Sequence, residues 1–117
     1  DTQSPTSTRL HTSAERVKVT RYGSAFNGRT MGCGGTFWTW RTDVIAVPLA
    51  RNREFDCGEP LTIVGPCNVE ECTVYGRRMD TCGGRPDNHF DLADEGLARV
   101  CLGVSTDMCY ATLYRGH

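Results

Sequence analysis

Lysine, long apolar runs and closely spaced cysteine pairs are all scarce in this chain, and each scarcity removes a class of protein. Only Lys18 is a lysine; the other 12 of the 13 basic residues are Arg, and 14 acidic residues bring the formal net charge to −1. No field of one sign is left to recruit nucleic acid or an anionic membrane. No apolar stretch approaches the ~18 residues that a spanning helix needs, so no membrane insertion is expected. No two cysteines form a C-x-x-C pair. A structural zinc site therefore lacks its thiolate pairs, and neither metal nor cofactor is expected. The chain opens on Asp1 with no start Met and no apolar leader, which reads as a mature form whose signal peptide is cleaved or not shown.

Cysteine itself is abundant, with seven among 117 residues. That length suits one domain with one core. The composition points to a small, secreted, disulfide-stapled monomer, extracellular or held in the periplasm or cell wall. An odd count leaves one thiol to be free, buried or shared between chains.

Residues 1–16 stand apart. Seven of them are Ser or Thr and Leu10 is the only large apolar side chain, so the segment reads as a flexible tail. The folded domain is expected over 17–117. Val17 and Val19 alternate with Lys18 and Thr20, the period of a half-buried strand. A Gly- and Thr-rich stretch over 26–42 reads as a long irregular loop. Val44-Ile45-Ala46-Val47 and Leu61-Thr62-Ile63-Val64 are short apolar runs, each stopped at a Pro, and read as buried strands. Thr73 to Met79 reads as a strand with a bulge or a close backbone approach at Gly76. One helix is expected near Leu92 to Cys101, opened by Asp94 and Glu95 and stopped by Gly103. A last strand over 109–114 turns Cys109, Ala111 and Leu113 to one face. About six short strands and one short helix favour a small closed β-barrel, which leaves no sheet edge exposed.

Spacing alone does not pair the cysteines, although Cys67 and Cys72 could close a hairpin loop. Polar chemistry concentrates in two places: Asp80, just after a strand, and Asp91, just before the helix. Two carboxyls with opposed environments on facing loops are what glycoside cleavage requires, one to protonate the leaving oxygen and one to activate water. Asp91 also lies close enough to the helix start to be a cap.

Several segments together resemble one superfamily. Asn88-His89-Phe90-Asp91-Leu92 is similar to the HFDL segment of expansins and glycoside hydrolase family 45 endoglucanases. Thr30-Met31-Gly32 with Cys33-Gly34 resembles the matching expansin segment. Tyr22 to Thr30 resembles the Tyr-Gly opening of rare lipoprotein A-type domains. Cys57-Gly58 and the Cys67…Cys72 pair also resemble expansin positions. The resemblance covers about residues 17–115 and implies a mainly β fold, a six-stranded double-psi β-barrel with one short helix. It implies Asp91 as general acid and Asp80 as the second carboxylate, with Tyr22 and Thr30 as groove residues. It further implies the bridges Cys33–Cys57 and Cys67–Cys72. Among the remaining cysteines, Cys101–Cys109 would join the helix to the last strand, and Cys82 is the thiol to watch because it lies two residues from Asp80.

Three departures bear on activity. Thr20-Arg21-Tyr22-Gly23-Ser24 contains no carboxylate where the family 45 enzymes carry a catalytic base. Val47-Pro48 stands where lytic transglycosylases of the lipoprotein type have His. The 117 residues contain no counterpart of the second expansin domain. Trp38 and Trp40 point the same way if extended and form either a sugar platform or a core cap, while Phe37 is expected in the core. His89 either orients Asp91, bonds a sugar, or is structural. Arg77-Arg78 reads as a solvated face with one snorkelling stem, or as a contact for acidic peptidoglycan peptides.

The leading expectation is endoglucanase-like cleavage of a β-1,4-linked wall glycan, cellulose or peptidoglycan, by Asp91 and Asp80 in a groove lined by Tyr22, Thr30, His89, Trp38 and Trp40. The alternatives are a non-catalytic, expansin-like glycan-binding module and a protein-binding module such as a protease inhibitor or defence effector.

Overall fold

The computed structural model describes residues 14–117. Most of the tail expected over 1–16 lies outside the described residues; its last two residues are already in the first strand. Six strands follow: β1 (Glu15–Arg21), β2 (Val44–Pro48), β3 (Pro60–Val64), β4 (Thr73–Cys82), β5 (His89–Leu92) and β6 (Met108–Arg115). One helix, α1 (Asp94–Val100), sits between β5 and β6. The strands close a barrel in the order β1-β5-β2-β4-β3-β6. β1 with β5 and β2 with β4 run parallel, and every other neighbour is antiparallel. Exchanging β1 with β4, β2 with β5 and β3 with β6 reproduces both the order and the senses, so the two halves of the chain are related by a pseudo-two-fold.

Period-2 patterning builds the inside. Val17, Val19, Ile45, Val47, Leu61, Ile63, Phe90, Leu92 and Leu113 form one buried cluster, closed at one end by Leu97 and Val100 of α1. A second cluster joins Met31, Phe37, Val44 and Ala93, against which Tyr22 and Met79 pack. Phe37 is therefore core, as its place in the loop predicts. The loop over 26–42 is irregular apart from one bridge between Thr30 and Thr36. Gly103 follows α1 at φ +79°, a left-handed stop that a residue with a Cβ rarely adopts.

β4 differs from the expectation in two ways. It continues through Asp80 to Cys82, so Asp80 belongs to a strand and not to the loop after one. Gly76 is the close approach, since a Cβ there would meet Asp43 O at 2.9 Å. The bulge lies three residues on: Ile45 pairs with Arg78 but Ala46 pairs with Asp80, leaving Met79 as the extra residue. One extra residue reverses which face the following side chains occupy. Arg78 accordingly turns inward with Ile45, and Asp80 turns outward with Ala46.

All three disulfides match the sequence-based pairing: Cys33–Cys57, Cys67–Cys72 and Cys101–Cys109. Cys82 is the free cysteine, and it is buried.

Candidate functional site

Strand register assembles the site. Thr20 of β1 pairs with Asp91 of β5, Asp91 pairs with Ala46 of β2, and Ala46 pairs with Asp80 of β4. Residues directly paired across strands share a face. Thr20, Asp91, Ala46 and Asp80 thus form one row across four strands, on the outer face opposite the apolar cluster. The small side chain of Ala46 leaves room between the carboxylates. Strands lie about 4.8 Å apart, which places the two Asp backbones roughly 10 Å from each other. Both carboxylates line a cavity of ≈ 280 Å³ with Tyr22, Phe26, Cys82 and Arg85. A larger open cavity of ≈ 630 Å³, lined by Arg16, Gly65 and Tyr110 among others, contains no carboxylate.

Both oxygens of Asp80 accept a hydrogen bond. Its Oδ2 accepts the Tyr22 hydroxyl at 2.8 Å and its Oδ1 accepts Gly32 N–H at 2.8 Å. It clamps the loop over 26–42 to the barrel, helped by Cys33 N–H on Met79 O at 3.0 Å. Tyr22 stacks on Phe37 with centroids 4.2 Å apart and meets Phe26 edge-on at 5.8 Å. Burial, and then the bond to Asp80, raise the Tyr22 phenol well above its ordinary value, so it remains a donor.

Asp91 is buried at the centre of the row. It lies in β5, and the helix cap is Ala93, so Asp91 is not a capping residue. Its Oδ1 is hydrogen-bonded to the Thr20 hydroxyl and lies 3.5 Å from Arg85 Nη1 and 3.8 Å from His89 Nε2. His89 lies two residues back on the same face, buried, with Nε2 at 2.7 Å from Thr20 Oγ1 and 2.8 Å from Arg85 Nη1. Burial, then the Arg85 charge, lower its pKa and favour the neutral imidazole.

The remaining expected residues are more dispersed. Thr30 is exposed on the loop and does not line the cavity. Trp38 and Trp40 stack on each other, centroids 4.8 Å apart at 13°, with Trp40 62% exposed. Neither Trp lines the cavity. Arg78 is no solvated side chain: it is buried and donates to Phe55 O, Asn52 Oδ1 and Thr81 Oγ1, tying the turn after β2 to β4. Thr20 and Arg85 were not among the expected site residues. No local signal marks them, because register alone brings Thr20 to Asp91.

Burial, followed by the Asp91 charge, pushes the Cys82 thiol up to about 12. At pH 8 only about one thiol in 10⁴ is then the reactive thiolate. A thiol reagent should leave Cys82 unmodified in the native protein and label it once denaturant is added. Rapid native labelling would contradict this burial.

No protein-family model matches the chain, and no curated protein matches it. Among solved structures, a variant of the Clavibacter michiganensis expansin in complex with cellohexaose superposes with a TM-score of 0.68 at 19% identity. It covers 90% of this chain and 51% of that one. The same expansin in its apo form gives 0.67 at 21% identity, with the same coverage. The fold is the double-psi β-barrel. The Streptomyces papain inhibitor also superposes, at 0.62 and 14% identity, over 89% of this chain and 94% of that one. This double-psi barrel therefore spans about half the expansin and nearly all of the papain inhibitor. Its three disulfides are consistent with an extracellular protein; no described helix is long and apolar enough to cross a membrane.

Proposed function

We propose that the chain is a secreted, wall-directed module that binds a β-1,4-linked glycan along the Asp91–Ala46–Asp80 row without hydrolysing it. The observation that carries this reading is the state of the second carboxylate. Inverting hydrolysis needs one carboxylate free to activate water opposite the acid. Each oxygen of Asp80 already accepts a hydrogen bond, one from Tyr22 and one from Gly32, which commits this carboxylate to holding the loop over 26–42. Asp43, the carboxylate just before β2, is paired with Arg41 at 2.7 and 2.9 Å, which holds its carboxyl below the usual range. Asp91 Oδ2 has no hydrogen-bond partner among the described residues and is left for a sugar hydroxyl. The exposed face of Trp40 offers a stacking surface beyond the cavity.

A sedimentation assay on insoluble cellulose and on peptidoglycan tests this. Wild type should be retained on one of them, and Asp91→Ala should weaken retention about tenfold or more, about 1.4 kcal/mol. No soluble sugar should appear. Sugar release by wild type that Asp91→Ala abolishes would establish the endoglucanase-like reading instead. A protein-binding role has one observation in its favour, the near full-length match to a papain inhibitor. Inhibition of a papain-type protease with no retention on either polymer would select it.

A further inference from the structure

Among the described residues, Arg85 is the only Arg or Lys paired with Asp91, and only one of its three guanidinium nitrogens is engaged. It lies in the short connection between β4 and β5. That connection is held by Pro86 O, which accepts His89 N–H at 3.1 Å, and by Asp87 O, which accepts Arg51 Nη1 at 3.3 Å. Arg85 Nη1 donates to Thr20 Oγ1 at 3.4 Å, and lies 2.8 Å from His89 Nε2 and 3.5 Å from Asp91 Oδ1. Thr20 in turn donates to the same Asp91 oxygen. Nη1 is thus anchored, whereas Nε and Nη2 donate to nothing among the described residues. The Arg85 side chain is 38% exposed and lines the cavity beside Asp91. Asp91 Oδ2 is likewise without a partner. No described buried side-chain oxygen or nitrogen lacks a partner, so Oδ2 is not sealed from the cavity. Arg21 lines the same cavity but is committed to Asp94, Asp107 and Thr106 O. The Asp91–Arg85 pair therefore sets an unpaired acceptor beside unpaired donors.

We propose that Arg85 is a specificity-determining residue which, together with Asp91, reads two adjacent free hydroxyls on one sugar unit. A hydroxyl is both donor and acceptor. Of two hydroxyls on neighbouring ring carbons, one gives its proton to Asp91 Oδ2 while the other accepts from the free edge of the guanidinium. The inference rests on the glycan reading above and narrows it. Every internal unit of cellulose carries free hydroxyls at C2 and C3. Peptidoglycan carries an acetamido group at C2 of every unit and a lactyl ether at C3 of every second one, so its strands leave no two adjacent hydroxyls free. Against that polymer the carboxylate and the guanidinium stay unpaired, the condition under which a polar site discriminates strongly.

Calorimetric titration with cellohexaose, alongside sedimentation on insoluble cellulose and on peptidoglycan, tests this. Wild type should bind cellohexaose and be retained on cellulose but not on peptidoglycan. Arg85→Met keeps the unbranched stem and should raise the cellohexaose Kd about tenfold or more, the loss expected for a hydrogen bond to a charged group. Arg85→Lys keeps a positive charge beside Asp91 but not the planar fork, and should not restore the affinity. Denaturant midpoints of both variants should match wild type, because the side chain is partly exposed. Wild-type affinity in Arg85→Lys would reduce Arg85 to a counter-charge and overturn the inference. Retention of wild type on peptidoglycan, with or without cellulose, would overturn it while leaving the glycan reading in place. Retention on neither polymer would remove the glycan reading and the inference with it.

Discussion

Gly65→Ala should abolish folding under conditions in which Gly83→Ala is silent. A Cβ at Gly65 would lie 1.8 Å from Val100 O and 3.1 Å from Cys72 O. Both obstacles are backbone, and neither is free to retreat. Val100 ends α1, and the next residue is bridged to Cys109; Cys72 is bridged to Cys67 and accepts Gly65 N–H at 2.9 Å. Overpacking that a side chain can absorb costs about 1–3 kcal/mol. A clash with two pinned carbonyls exceeds that and consumes much of the roughly 5–15 kcal/mol available to a small domain. At Gly83 a Cβ meets nothing within 4 Å. Denaturant midpoints decide the matter, and a Gly65→Ala midpoint equal to wild type would refute the close packing of α1 on the end of β3.

Loss of the disulfides is the second large effect. The bridges span 24, 8 and 5 residues for Cys33–Cys57, Cys101–Cys109 and Cys67–Cys72. Loop-closure entropy assigns them about 3.4, 2.5 and 2.1 kcal/mol in that order. Their sum, about 8 kcal/mol, matches the whole stability of many small domains. Complete reduction should therefore unfold the chain. Replacing Cys33 and Cys57 together with Ser should lower stability more than removing either other pair. It should also weaken ligand binding, because Cys33 follows the Gly32 N–H that holds Asp80. Chemical denaturation of the three double variants gives the ranking. If the Cys67–Cys72 pair proved the most costly to lose, the entropic argument would be wrong for this protein.

β1 and β6 were legible because burial on one face writes a period of two into the chain, and β2 and β3 were legible as short apolar runs each stopped at a Pro. The helix was legible from its acidic first turn and its glycine stop. The sequence pattern marks β4 only as far as Met79, because a bulge there breaks the period and hides the continuation through Asp80. Of the candidate site residues, Asp80, Asp91 and Tyr22 line one cavity and His89 lies beside Asp91. Thr30 and the two Trp residues do not line the same cavity. No local pattern marks Thr20 or Arg85, because each looks ordinary among its sequence neighbours.

By itself the sequence determined a small, disulfide-rich, mainly β domain, two of its three bridges through resemblance, and Asp80 and Asp91 as candidate site carboxylates. The tertiary structure decided what those carboxylates can do. Thr20 and Asp91 are 71 positions apart and meet through a parallel pairing. Asp80 joins their row only because Met79 is extruded from the β2–β4 ladder. Local patterning encodes which face a residue takes within its own strand. Which residues lie beside it, and which oxygens and protons they use up, follows from the register between strands once the barrel has closed.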